Sequence, residues 1–358
     1  MSRHDQFAGT MPVRDAHAFE TGPLESWMRE HVQAFTPGLT VDQFRGGQSN
    51  PTYRLTDGAG RRYVLRRKPP GKLLKSAHAV DREYRVMTAL GTQTDVPVPR
   101  THGLCTDDDV IGTWFYVMDC VDGHIYWDAA PEGVSPPMRG QIFDAMNETI
   151  AKLHSVDYAA IGLGDYGKAG NYFARQIARW SKQYQEDEEA GRIEAMDRLV
   201  DWLPENIPAG DETSIVHGDF RIDNLIFAHD QPRILAVLDW ELSTLGHPLA
   251  DFAYHCLMYR MTPQGFTGLL GQDLPALGIP AEQDYVAAYC RRTGRAGIPA
   301  DEFDFYIAFN MFRLAGILHG ILGRVKRGTA SSSHAAQQGA MAEPLAKLAW
   351  SQVERLAS

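Results

Sequence analysis

Two apolar runs in the second half of the chain, each followed by polar residues at a fixed spacing, constrain the fold more than any other feature. The first run leads into a loop that carries His217, Asp219 and Asn224. Asp239 follows the next run, residues 234–238. Asp and Asn between strands often only form turns, because their side chains hydrogen-bond to nearby backbone. A turn needs one or two such residues, so the whole set indicates a shared chemical task.

Asp239 begins a triplet with Trp240 and Glu241, at the position where protein kinases have Asp-Phe-Gly. In kinase sites, an Asp shortly after a His accepts the proton of the attacking hydroxyl, and an Asn and a later Asp hold magnesium on the phosphates. The indole of Trp240 can fill the apolar position of the triplet. Glu241 adds an oxygen ligand of the kind that hard cations favour, although a solvated or salt-bridged surface carboxylate is an equal alternative.

The bulk properties of the chain exclude several classes of function. Its 358 residues can form one large two-lobed domain or two fused ones, and 44% hydrophobic with 22% charged residues is usual for a globular protein. A net charge of −10 argues against a nucleic-acid-binding protein. Scattered cysteines, the lack of an apolar leader and the polar interruptions in residues 305–322 predict a cytoplasmic protein with a buried core helix there and no membrane partner.

The first part of the chain has the strand and turn pattern of a small sheet. Residues 1–22 are typical of a mobile tail, and residues 23–35 have the apolar spacing of a helix. Two strands then flank a glycine turn. The candidate nucleotide-binding residues of this turn are Gly46, Gly47, Ser49 and Asn50. Kinases cover the triphosphate with the backbone N–H groups of such a turn, but most Gly-Gly turns are only hairpins.

The next strand, residues 61–67, can be aligned with the kinase pattern Val-Ala-Ile-Lys. Alternation places Val64 and Arg66 on one face, so Val64 could touch adenine while Arg66 reaches the phosphates. Arg66 stands where the pattern has Lys, and Lys68 is the alternative if the register differs. Glu83, in a helix predicted over residues 76–90, is the candidate partner that orients Arg66. The alternative for Glu83 is a surface salt bridge.

A strand predicted over residues 115–123 is the candidate hinge between two lobes. The backbone of Met118, Asp119 and Cys120 could hydrogen-bond to adenine there, or the strand could be an ordinary core strand. Beyond it, helical spacing dominates, including one charged helix over residues 171–203. The sequence therefore predicts an α+β fold. Its parts are the tail, a sheet-containing N-lobe with an N-terminal helix over residues 23–120, and a helical C-lobe over residues 121–358.

With these motifs in order, the chain resembles the aminoglycoside phosphotransferase and choline kinase group over about residues 40–325. The most specific segments are residues 217–224, 239–241 and 246–251. The resemblance implies a two-lobed protein-kinase-like fold with a small antiparallel sheet and one helix in the N-lobe. It also implies a transferase that phosphorylates a hydroxyl of a small molecule, with ATP and Mg2+ as cofactors.

The resemblance also assigns roles to individual residues. Asp219 would be the catalytic base, and Asn224 and Asp239 the magnesium ligands. His217 and Asp251 would support the loop. Glu241 and Arg221 are additional candidates for the site. Only eleven residues separate Asp239 from Asp251, which is too few for the peptide-docking segment of a protein kinase and argues against a protein substrate.

Residues 45–53 and 66–72 look most like the kinase domains associated with acyl-CoA dehydrogenases, which act on hydroxylated fatty acyl groups carried on coenzyme A. We expect a stand-alone kinase of that kind. The basic stretch at residues 61–85 could attract the phosphates of ATP or coenzyme A, or could equally be a solubilising surface of the lobe. An aminoglycoside or choline-type amino-alcohol kinase is one alternative. A nucleotide-binding pseudokinase, which does not transfer phosphate, is another.

Overall fold

The computed structural model describes residues 9–45, 50–70, 78–330 and 334–356. These residues form two compact units. The sheet unit comprises Met1–Trp127, Asp157–Tyr166 and Arg221–Ser243, and the helical unit comprises Asp128–Val156, Gly167–Phe220 and Thr244–Ser358. The division therefore differs from the single break predicted at residue 121. Its consequence is that Asn224 and Asp239 belong to the sheet unit, whereas Asp219 belongs to the helical unit.

The sheet unit is built on an antiparallel sheet with strand order β1-β2-β3-β4-β6-β5. Strands and helices are numbered along the chain. The strands of this sheet are β1 (Thr10–Met11), β2 (Thr40–Phe44), β3 (Thr52–Thr56), β4 (Arg62–Arg67), β5 (Thr101–Cys105) and β6 (Phe115–Asp119). The helices of the unit are α1 (Thr21–His31), α2 (Val80–Gln93) and the short α3 (Asp108–Ile111). A separate hairpin is formed by β8 (Leu225–Phe227) and β9 (Ile234–Val237).

The alternation of side chains along β3, β4 and β6 gives the sheet two different faces. One face is apolar and packs on Trp27 and Met28 of α1. Its buried sheet residues are Tyr53, Leu55, Tyr63, Leu65, Phe115 and Val117. The other face carries Arg66 of β4, which contacts Glu83 of α2. The period-two pattern thus separates the apolar core from a buried charged layer.

Part of the segment predicted as a mobile tail is ordered on the sheet. β1 pairs with β2, and the hydroxyl of Tyr53 donates to the carbonyl of His17 at 2.8 Å. The helix α1 also begins at Thr21, within that segment. The described residues 9–22 therefore differ from the prediction. Residues 1–8 lie outside the described residues.

The helical unit surrounds one long apolar helix. Its helices are α4 (Pro136–His154), α5 (Tyr172–Glu186), α6 (Glu194–Glu205), α7 (Pro248–Arg260), α8 (Pro263–Phe266), α9 (Leu274–Leu277), α10 (Glu282–Arg292), α11 (Ala300–Lys326), α12 (Ala335–Ala340) and α13 (Ala342–Leu356). Strands β7 (Ser214–Val216) and β10 (Thr244–Gly246) pair antiparallel. The single helix predicted over residues 171–203 is therefore two helices, α5 and α6.

The helix α11 is long and apolar enough to cross a membrane by length and composition. However, 72% of its most apolar window is buried inside the protein. It packs against α7, α13 and other helices of its unit. This is the arrangement of a core helix, as the polar interruptions in residues 305–322 predict.

Candidate active site

The β8–β9 hairpin brings Asn224 and Asp239 to the same end. Asn224 immediately precedes β8, and its carbonyl accepts a hydrogen bond from the backbone N–H of Leu238 at 2.8 Å. Asp239 follows with a φ of 65°, a left-handed conformation that Asp tolerates better than most residues. The buried Trp240 then anchors the turn, because its indole N–H donates to the carbonyl of Val237 at 2.9 Å.

Arg66 lies among three carboxylates of the sheet unit. Its Nε is 2.9 Å from Glu83 Oε2, and its Nη2 is 2.7 Å from Asp239 Oδ1 and 3.2 Å from Glu241 Oε2. The Arg66–Glu83 ion pair predicted from the sequence is thus present. The alternative residue, Lys68, instead lies 3.8 Å from Asp81. A planar guanidinium suits this position, because its delocalised charge faces carboxylates on two sides at once.

Glu83 is held by neutral groups as well as by Arg66. The amide of Asn50 donates to Glu83 Oε1 at 3.0 Å, and the hydroxyl of Tyr116 donates to Oε2 at 3.0 Å. Asn50 is fully buried, and its Oδ1 lies 2.8 Å from His78 Nδ1. The Asn50 side chain therefore fixes the position of Glu83. A direct contact between Asn50 and a nucleotide stays a prediction. Gly46, Gly47 and Ser49 lie outside the described residues.

The electrostatics of this cluster reflect its burial. Burial raises the pKa of Glu83 to about 7. Arg66 lowers this pKa, whereas Asp239 and Glu241 raise it further. Burial alone would lower the pKa of Arg66, but Glu83 and Asp239 outweigh it and raise that pKa. Arg66 therefore stays charged, and the cluster pairs this one cation with three carboxylates.

The oxygen ligands at the end of the hairpin fit a magnesium ion that is also bound by phosphates. Within the described part of the chain, no three His, Cys, Asp or Glu side chains form a closed metal site. Mg2+ is commonly held by one or two carboxylates and completed by substrate phosphates and water. The side chains of Asp239 and Glu241 are 35% and 24% exposed, so both carboxylates are accessible. With the amide oxygen of Asn224, they are the residues that would hold the ion.

The predicted hinge residues lie at the end of β6. Met118 pairs with Val64 of β4, which places both on the face that carries Arg66. The backbone N–H of Asp119 donates to the carbonyl of Arg100 at 2.8 Å, and that of Cys120 donates to the carbonyl of Arg62 at 3.4 Å. An adenine hydrogen bond from either amide would have to replace these contacts.

In the helical unit, the loop that carries Asp219 is fixed by α7. Both carboxylate oxygens of Asp251 accept backbone N–H groups, from His217 at 2.7 Å and from Gly218 at 2.8 Å. The fully buried Asp251 also lies 3.2 Å from His154 Nε2. Burial would raise the pKa of Asp251, but these hydrogen bonds and His154 hold it below its ordinary value. An ionised Asp251 is therefore the anchor of the loop.

The remaining residues of this loop are held from several directions. His217 Nδ1 accepts the backbone N–H of Asp219 at 3.2 Å. This contact is of the supporting kind that the family resemblance implies for His217. Tyr254 donates its hydroxyl to Asp219 Oδ1 at 2.5 Å. Arg221, just beyond the unit boundary, is exposed and pairs with Asp223. Its part in the site stays a prediction.

The chain is similar to known proteins in both sequence and fold. Residues 40–298 match the model of the phosphotransferase enzyme family. The chain belongs to this family. It is 46% identical over 347 residues to mouse acyl-CoA dehydrogenase family member 10, covering 95% of this chain but only 32% of that protein. The chain thus spans about a third of that relative's length.

Solved structures share the fold of this chain. A crystal structure from Ralstonia eutropha, assigned to the aminoglycoside phosphotransferases, is 53% identical with a TM-score of 0.87, covering 94% of this chain and 99% of that one. An amicoumacin kinase in complex with AMP-PNP and Ca2+ shares the fold, with a TM-score of 0.54 at 14% identity over 94% of this chain and 95% of that one. The predicted protein-kinase-like fold is confirmed, and the family to which the chain belongs is one of phosphotransferases.

Sequence reasoning missed three residues of the site. Tyr116 could have been found, because it shares the alternation of Met118 along β6. Tyr254 lies three residues after Asp251 on one helix, a spacing that places both on one face. His154 gave no local signal, because its contact with Asp251 joins α4 to α7 across 97 residues of sequence.

Proposed function

We propose that this chain transfers the γ-phosphate of ATP to a hydroxyl of a hydroxyacyl-CoA or a related hydroxy acid. The observation that carries the transfer chemistry is the cluster of Arg66 with Glu83, Asp239 and Glu241, because it combines a phosphate-binding cation with accessible metal-binding carboxylates. The amicoumacin kinase complex with AMP-PNP and Ca2+ supports a nucleotide and a divalent cation as the ligands of this fold.

The roles follow from the chemistry of each group. Asp219 accepts the proton of the acceptor hydroxyl as that oxygen attacks the γ-phosphorus and the bond to the β-phosphate oxygen breaks. Arg66 contacts the phosphates while Glu83 orients it. Asn224 and Asp239 would hold magnesium, which neutralises charge on the transferring phosphate when bound. Such a transfer depends mainly on positioning and charge stabilisation.

The proposed acceptor class is supported by the relatives rather than by a charged surface. The matching mouse protein is named an acyl-CoA dehydrogenase family member, which supports an acceptor from acyl-CoA chemistry. The basic stretch of residues 61–85 presents less positive charge at the surface than the sequence predicts, because Arg66 and Arg67 are buried. Arg85 pairs with Asp165, and Lys72 and Lys75 lie outside the described residues.

The test is mass spectrometry of a pooled acceptor reaction with Mg-ATP. The pool contains 3- and 4-hydroxyacyl-CoAs, free hydroxy acids, aminoglycosides and choline. We expect one phosphate added to a hydroxyacyl acceptor. The Asp219→Asn protein should turn over roughly 10²–10⁴-fold more slowly, as expected for the loss of a general base. Asp230→Asn, an exposed residue between β8 and β9, is the matched control and should retain wild-type activity.

A second candidate is an aminoglycoside or amino-alcohol kinase. It is favoured by the Ralstonia eutropha structure, which is assigned to the aminoglycoside phosphotransferases. Phosphate found only on an aminoglycoside or choline would replace the hydroxyacyl proposal with this one. Nucleotide binding without any phosphorylated product would contradict both and indicate a pseudokinase. An Asp219→Asn protein with near wild-type turnover would show that the base lies elsewhere.

A further inference from the structure

The helix α7 contacts the loop of Asp219 through three of its side chains. Asp251 accepts the backbone N–H groups of His217 and Gly218. One turn later, the hydroxyl of Tyr254 lies 2.5 Å from Asp219 Oδ1. Residues three apart lie on the same face of a helix, so one face of α7 holds both the backbone of the loop and the carboxylate it carries.

The third contact comes from His255, which follows Tyr254 on α7. Its Nδ1 lies 3.1 Å from the carbonyl of Phe220, which can only accept, so Nδ1 carries the proton. Its Nε2 then accepts the hydroxyl of Tyr285 at 2.7 Å. Burial lowers the pKa of His255 to about 4, which keeps this neutral tautomer at neutral pH. The backbone of Phe220, directly after Asp219, is therefore held by α7, as are the backbones of His217 and Gly218 before it.

The side chain of Tyr254 is itself positioned from α11. Arg313 lies over its ring, with the guanidinium carbon 5.4 Å from the ring centre. The same guanidinium donates to the carbonyl of Gly218 at 2.9 Å. Gly218 has a φ of 84°, so the loop turns sharply at that point. Arg313 thus connects the Tyr254 ring to the backbone directly before Asp219.

We propose that Tyr254 is a positioning residue for phosphoryl transfer, which holds the Asp219 carboxylate in the orientation that receives the proton of the acceptor. This inference rests on the proposed function, in which Asp219 is the base. A phenol hydroxyl that donates to a carboxylate removes rotational freedom from it, and a base must meet its proton within hydrogen-bond reach. The contact acts on the reaction step rather than on nucleotide affinity.

The test is Tyr254→Phe, which removes only the hydroxyl. We expect kcat to fall roughly 10- to 100-fold, the range for losing a hydrogen bond to a charged group, with the KM for Mg-ATP within about twofold of wild type. Turnover is measured by ADP release, with the acceptor found in the pooled reaction and, in parallel, with water as the acceptor. The matched control is Tyr259→Phe on the same helix, because the buried Tyr259 hydroxyl has no hydrogen-bond partner among the described residues. It should retain wild-type kcat.

A double-mutant cycle separates this inference from the proposed function. If Tyr254 acts through Asp219, Tyr254→Phe should cause no further loss in the Asp219→Asn background. An equal loss in both backgrounds would overturn the inference, as would wild-type kcat in Tyr254→Phe or a change confined to KM. A near wild-type rate in Asp219→Asn alone would instead refute Asp219 as the base. Circular dichroism of each variant checks that the fold is retained.

Discussion

Replacing Arg66 with methionine removes the guanidinium that touches Glu83, Asp239 and Glu241. Leaving one member of a buried ion pair without its partner costs about 3–5 kcal/mol. The Glu83 side chain is only 2% exposed, so it dominates the loss. Asp239 and Glu241 are more exposed, and water screens their mutual repulsion. Asn50 also keeps its hydrogen bond to Glu83. We therefore expect the lower end, a loss of about 3 kcal/mol in the free energy of unfolding.

The measurement is urea unfolding followed by tryptophan fluorescence at pH 8, above the pKa of Glu83, with EDTA or with MgCl2. A ligand that binds only the folded state at 100 times its Kd stabilises it by about 2.7 kcal/mol. In the wild-type protein, Arg66 already offsets part of the negative charge of Asp239 and Glu241, so the binding of a cation there is less favourable. Magnesium should therefore stabilise Arg66→Met more than it stabilises the wild type.

Arg67→Met is the matched control for this experiment. Arg67 neighbours Arg66 on β4 and is also buried, but its Nε contacts the hydroxyl of Thr113 at 2.9 Å rather than a carboxylate. Among the described residues, Arg67 forms no ion pair, so Arg67→Met leaves no buried carboxylate without its partner and should cost less than Arg66→Met. Equal losses for the two variants, or a loss below about 1 kcal/mol for Arg66→Met, would refute the assigned role of the ion pairs. Equal stabilisation by magnesium would refute Asp239 and Glu241 as a cation site.

Two further predictions concern the metal and the effect of pH. Asp239→Ala should abolish Mg2+-dependent nucleotide binding in calorimetric titrations, and undiminished Mg-ATP affinity would contradict its role as a ligand. For His255, the pKa is about 4 in the folded protein, below its ordinary value of 6.5, so the unfolded chain binds more protons between these values. Stability should therefore fall by up to about 3 kcal/mol as the pH drops from 6.5 to 4. The free energy of unfolding of His255→Asn should depend less on pH than that of the wild type. If the two pH profiles were parallel, protonation of His255 would not be the cause of the loss.

The fold class could be predicted because the order of strand, turn and helix patterns is a local property. The pairing of Arg66 with Glu83 was also predictable, because alternation fixes the face of β4 and helical spacing places Glu83 beside its apolar side. The unit boundary was not predictable in the same way. The β8–β9 hairpin contacts the sheet unit through long-range hydrogen bonds, such as that of His124 with Phe227 at 2.7 Å, and no local pattern reports such a bond.

The candidate site shows the same limit. The residue types and spacing of Asp219, Asn224 and Asp239 carried the prediction of phosphoryl transfer. The groups that hold them come from distant parts of the chain, such as Arg313 on Gly218 across 95 residues. Asn50 illustrates a second limit. Its place beside a glycine turn predicts a nucleotide contact, whereas in the structure the buried side chain donates to Glu83.

The identity of Arg66 follows from the geometry of its three partners. A lysine ammonium is a compact point charge, whereas Arg66 reaches Glu83 through Nε and both Asp239 and Glu241 through Nη2. One guanidinium faces three carboxylates here, so Asp239 and Glu241 add to the increase that burial causes in the pKa of Glu83. A divalent cation at the exposed side of Asp239 and Glu241 would neutralise the remaining negative charge without displacing Arg66 from Glu83. The same excess of negative charge would thus favour the binding of a nucleotide together with its cation over the binding of a metal-free nucleotide.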